Sequence, residues 1–70
     1  MEHIIIISWD DEACVWYAEC DTIPIALESG SLDALIERVK IAAPELLAEN
    51  GKLTSEDSLC FRIERKERIA

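Results

Sequence analysis

The sequence predicts a small α+β domain, a mainly antiparallel sheet with one helix packed on a face, in the order β-β-β-α-β. Three observations lead there. Runs rich in β-branched and aromatic residues recur at residues 3–9, 14–20 and 58–63. A stretch from residue 32 to residue 47 carries apolar residues at helical spacing. The chain has 70 residues, room for a single domain over residues 1–70.

Residues His3 to Trp9 read as the first strand, built on four consecutive isoleucines. Asp10-Asp11-Glu12-Ala13 is a polar break of hairpin length. Cys14 to Cys20 form the second strand. A turn centred on Asp11-Glu12 sets Ile7 opposite Trp16 and Ile5 opposite Ala18. Ile5, Ile7, Trp9, Trp16 and Ala18 then share one face. Trp16 is expected between Ile7 and the helix. Asp21-Thr22-Ile23-Pro24 reads as a turn, and Pro24 confines the next strand to roughly Ile25–Glu28.

Ser31 is a good N-cap, and Asp33 complements the helix dipole. Leu32, Leu35, Ile36, Val39, Ala43, Leu46 and Leu47 make one apolar stripe. Pro44 removes a donor, which predicts a kink or break near Ala42–Ala43. Asn50-Gly51 supplies the left-handed stop. Lys52 to Asp57 is a loop. From Ser58, Leu59, Phe61 and Ile63 point inward, while Cys60, Arg62 and Glu64 point outward. The mixed charges from Glu64 to Arg68 read as a solvated strand end.

Composition narrows the function. Fifteen acidic and seven basic side chains give a net charge of -8. Such a surface repels phosphate backbones and attracts a basic protein, although a negative surface also simply keeps a small domain soluble. No nucleic-acid binding by this chain alone is expected. A chain this short hides only about 60% of its unfolded surface, so a second chain covering apolar area would help it.

The three cysteines, Cys14, Cys20 and Cys60, fit a reducing compartment. The N-terminus shows no secretory signal and the Ile4–Ile7 run is too short to span a bilayer, so the cytoplasm is expected and a membrane is not.

Chemistry is sparse. His3 is the only histidine, near the N-terminus, where such a residue is ordinarily exposed. Asp10, Asp11 and Glu12 match no calcium loop. His3 with the three cysteines makes a Cys3His count, but the spacing is wrong for zinc: Cys14 and Cys20 on one strand stand roughly 20 Å apart. Burial as small hydrophobes suits these cysteines better. With only Gly30 and Gly51, no phosphate loop or dinucleotide fingerprint is present. No catalytic residue, metal or cofactor is expected, and the chain reads as a binding protein.

Two surfaces qualify. The turns carrying Asp10, Asp11, Glu12, Glu19 and Asp21 suit a basic partner. Ile4, Ile6, Val15 and Tyr17 make the outer sheet face apolar, which suggests a homodimer or higher homo-oligomer. The short third strand and the last strand offer edges for pairing as well.

The stretch S-W-D-D-E-A-C-V-W-Y-A-E-C-D-T-I-P, residues 8 to 24, resembles the signature of short HicB-like proteins, many of them known only as a domain of unknown function. The likeness continues through S-L-D-A-L-I-E-R-V-K, residues 31 to 40, and A-P-E-L-L-A-E-N-G, residues 43 to 51. Where that family has Pro-Gly, Pro24 is followed by Ile25. The resemblance implies a HicB N-domain-like fold, a cut-down ribonuclease H fold without its active site. It implies an antitoxin that masks HicA, a small basic mRNA-cleaving toxin. The DNA-binding domain that many HicB proteins add is not expected here, since the sequence ends at Ala70 just past its last strand. A stand-alone oligomeric module with an unrelated partner or ligand is the alternative.

Overall fold

Four strands and one helix form in the expected order: β1 (Glu2–Asp10), β2 (Val15–Cys20), β3 (Ala26–Ser29), α1 (Leu32–Glu49) and β4 (Ser58–Glu64). The structure is a computed structural model and describes residues 1–69. The sheet order is β3-β2-β1-β4. β1–β2 and β2–β3 pair antiparallel, and β4 joins β1 in parallel, so the sheet is mixed. The parallel pairing follows from the helix, which carries the chain back to the end where β1 starts.

The β1–β2 register is displaced by two residues from expectation. Ile7 faces Ala18, Trp9 faces Trp16 and Ile5 faces Cys20. The turn is longer than a tight hairpin. Asp10 Oδ1 accepts from the backbone N–H of Glu12 and Ala13, and Cys14 closes the loop at φ 54, in the left-handed region. A slip of two keeps every side chain on its face, so the expected inner set survives.

The core is Ile5, Ile7, Ala18, Ile23, Ile25, Leu35, Val39, Ala43 and Leu47. Ile23 and Ile25 enter it on either side of exposed Pro24, through a tight turn in which Ile25 N–H donates to the Ile23 carbonyl at 2.7 Å. That turn places Ile25 in the core just ahead of β3. Trp16 is only half-buried, packed against this core and beside Trp9.

Helix α1 runs unbroken through Pro44 for 18 residues. The expected break is absent because the proline removes one hydrogen bond, while Leu35, Val39, Ala43 and Leu47 anchor the helix to the core on both sides of it. Ser31 Oγ accepts from Ala34 N–H at 3.2 Å as the N-cap. At the other end Lys52 N–H reaches Leu47 O and Gly51 N–H reaches Ala48 O, with Gly51 at φ +66, a Schellman stop. The helix backbone lies nearest β2 and β3. Among the described residues no helix or strand covers the opposite face of the sheet.

Candidate functional site

The uncovered face is assembled by alternation along all four strands. Its apolar residues are Ile4 and Ile6 of β1, Cys60 of β4 beside Ile4, and Tyr17 and Val15 of β2 toward the hairpin end. Ile4, Ile6, Val15 and Cys60 are half-buried, and Tyr17 is 37% exposed. Around them, on the same face, stand Glu2, Asp10, Glu19, Glu28 and Glu64, all exposed. Among the strand residues of the face Arg62 is the single cation, next to Ile6 with Glu19 on the far side, and Lys66 and Arg68 of the following segment line a cavity with Ser8 and Glu64. Within the four strands, five carboxylates against one guanidinium leave this face at -4, and Asp21 just past β2 borders Ile4, Ile6 and Arg62 as well. Apolar and acidic side chains alternate across the face, with Glu19 and Arg62 on either side of Ile6, the mixed make-up of a non-obligate interface.

The five acidic residues expected to meet a partner do not form one patch. Asp10, Asp11 and Glu12 sit at the β1–β2 turn, Glu19 lies on the uncovered face, and Asp21 follows β2 at its opposite end. A six-residue strand separates the two turns by roughly 20 Å. Two of the five also have local work: Asp10 closes the turn, and Asp11 Oδ1 accepts from Trp9 Nε1–H at 3.0 Å. Ile4, Ile6, Val15 and Tyr17 do share one face, as the alternation implied, but they do not form one cluster: Tyr17 lies diagonal to Ile6, while Val15 pairs with Asp10, six residues and roughly 20 Å along β1 from Ile4.

The histidine is not exposed. His3 is 3% exposed and holds three distant segments together. Its Nε2 lies 2.9 Å from Asp57 Oδ1 and its Nδ1 lies 2.7 Å from Thr22 Oγ1. A carboxylate only accepts, so Nε2 carries a proton, and in the neutral ring Nδ1 accepts from the Thr22 hydroxyl. The other oxygen of Asp57 accepts from Thr54 N–H at 2.8 Å and from Thr54 Oγ1–H at 3.1 Å. The Thr54 amide, then the His3 contact, hold the Asp57 carboxyl down at about 2, from an ordinary 3.8. Cys20 Sγ stands 3.4 Å from Thr22 Oγ1 and extends the chain. Hydroxyl, imidazole and carboxylate follow the order of an acyl-transfer relay, but both ring nitrogens are spent on fixing β1 to the β2–β3 turn and to the loop before β4.

Comparison with known proteins places this geometry in a family. A model described as a domain of unknown function, DUF1902, matches residues 2–70. The chain belongs to the DUF1902 family. A hypothetical protein, TTHA1013, from the extremely thermophilic bacterium Thermus thermophilus has a crystal structure that superimposes with a TM-score of 0.75 at 32% identity, covering 100% of this chain and 99% of that one. No curated protein matches.

In this DUF1902 domain the sequence reading missed two features besides the histidine. Trp9 and Trp16 meet edge to face with ring centroids 5.1 Å apart, and Arg65 lies over them at 4.7 and 5.9 Å. The segment after β4 is therefore tied back to the hairpin and is not wholly solvated. Cys14 is exposed in the turn, and Cys20 and Cys60 are half-buried, so none is the fully buried hydrophobe expected. Among the described residues no cluster of His, Cys, Asp or Glu is placed to hold a metal, and no helix is long and apolar enough to cross a membrane.

Proposed function

We propose that this DUF1902 domain is an antitoxin-type binding module that masks a small basic protein, of the HicA mRNA-cleaving class, with its uncovered sheet face. The observation that carries this reading is the make-up of that face, on which the apolar Ile4, Ile6, Val15 and Tyr17 are interleaved with five carboxylates and one cation of the four strands. A basic partner is drawn in by the carboxylates and held by the apolar side chains between them. Two copies of this chain set face to face would oppose like charges, so the face suits a partner of opposite sign better than itself. The likeness of residues 8–24, 31–40 and 43–51 to HicB-like proteins supplies the toxin class. Catalysis has no part in the proposal, and His3 serves as a latch.

The test is co-expression with the product of a neighbouring small basic reading frame. The two proteins are expected to co-purify, and toxicity of the basic protein alone is expected to be relieved. Replacing Glu2, Glu19, Glu28 and Glu64 by Gln should slow association at low salt, and added salt should slow the wild type in the same way. Association as fast as wild type after these changes would place the docking surface elsewhere.

A further inference from the structure

The two edges of the sheet are built differently, and the difference points to a second copy of this chain. β3 is four residues long, the helix lies over it and β2, and Arg38 Nη1 donates to the Glu28 carbonyl at 2.9 Å, occupying one of its backbone groups. β4 is seven residues long and, among the described residues, is paired on one side only, with β1. It holds no proline and points no charge inward, two of the usual ways an edge is protected. Its inward side chains are incompletely covered: Leu59 and Phe61 are half-buried and Ile63 is 48% exposed. Beside it, a cavity of about 110 Å³ opens between Ala43, Pro44 and Leu47 of the helix and Leu53 and Leu59.

We propose that β4 pairs antiparallel with β4 of a second copy, joining two four-stranded sheets into one of eight strands about a two-fold axis at Phe61. The register follows from the sequence of the strand. Centring the axis on Phe61 is the arrangement that pairs all seven residues Ser58–Glu64. Phe61 then faces its own copy, and Leu59 faces Ile63 of the partner subunit, so the exposed isoleucine gains an apolar neighbour. On the other face, Cys60 meets Arg62 of the partner subunit and Ser58 meets Glu64 of the partner subunit, with no like charges opposed. An axis one residue later would set Arg62 against itself. The axis stands normal to the sheet, so both helices lie on one side and both acidic faces remain open on the other. The dimer is therefore independent of the basic partner proposed above.

Sedimentation equilibrium of the full chain at tens of micromolar is expected to give twice the 7.9 kDa monomer mass. Ile63→Lys, at a half-exposed site, should keep the circular dichroism of the wild type and weaken the dimer by about tenfold or more. If that variant fails to fold, a cross-link decides. Arg62→Cys, with Cys14 and Cys20 replaced by Ser, sets its thiol opposite Cys60 of the partner subunit, and mild oxidation should yield a covalent dimer. A wild-type monomer at these concentrations would overturn the proposal. So would a dimer that survives Ile63→Lys in a folded protein and gives no cross-link.

Discussion

The β3 end of this sheet is finished, and the β4 end is not. At β3 the strand is short, the helix lies over it, and Arg38 occupies an edge carbonyl. At β4 the strand is longer, the helix backbone stands away, and Phe61 and Ile63 keep exposed surface on the face meant for the core. One helix of 18 residues cannot cover four strands equally, so a domain this small chooses which half to seal. The sealed half carries stability, and the unsealed half is available for association. Each substitution below should report which half it touches.

The largest effect belongs to the sealed half. Leu35 is fully buried, and Leu35→Ala should cost about 2–5 kcal/mol. That is most of a margin near 5 kcal/mol, so thermal melting should show a largely unfolded protein at 37 °C. Ile63→Ala at the other end should shift the monomer's stability by less than about 1 kcal/mol and act on association instead. A Leu35→Ala protein that melts like wild type would dissolve the distinction between the halves.

Trp16→Ala comes next. The ring is half-buried beside Trp9 and Arg65, so the loss should be about half of the 3–5 kcal/mol of a fully buried aromatic. Urea unfolding checks it, and a loss beyond about 4 kcal/mol would place Trp16 in the sealed core after all.

The order of elements and the faces of the strands were legible in the sequence because both rest on local periodicity. Ile5, Ile7 and Ala18 face the core under either register, since a slip of two leaves alternation unchanged. The slip itself lay hidden in Cys14, a residue type that gives no hint of a left-handed conformation. Ile23 read as a turn residue and Ile25 as the start of the third strand because Pro24 separates them, although two β-branched residues flanking one proline are a usable sign of a buried turn. The His3 latch was invisible for a different reason. Thr22 and Asp57 are 19 and 54 residues away, and only the tertiary fold brings them to the ring. The apolar residues of the candidate docking face were legible, but not their interleaving with Glu19 and Arg62 or the separation of the acidic turns.

The latch straddles the two halves and gives an intermediate effect. His3→Ala should lower the melting temperature on the order of 5–10 °C and create or remove no RNA-cleaving activity. RNA cleavage by the wild type that vanishes in His3→Ala would contradict a binding role. Asp57 adds a pH signature. Its carboxyl sits near 2 in the folded chain and at 3.8 when free, so the unfolded chain takes up the proton first as the medium is acidified. The stability it contributes is fully present above about pH 4 and is lost as pH falls toward 2. Asp57→Asn should be less stable at neutral pH and flatter across that window, as followed by melting in graded buffers.

Arg38→Ala should be the mildest change, within about 0.5 kcal/mol, because one exposed hydrogen bond is removed from an edge that the helix still covers. Chemical denaturation should scarcely move.

Amide hydrogen exchange compared between dilute and concentrated protein tests the unequal edges most directly. If β4 is the associating edge, protection of amides in Ser58–Glu64 rises with concentration while Ala26–Ser29 exchanges at one rate throughout. Concentration-dependent protection at β3 with none at β4, or no dependence at either edge, would contradict the account.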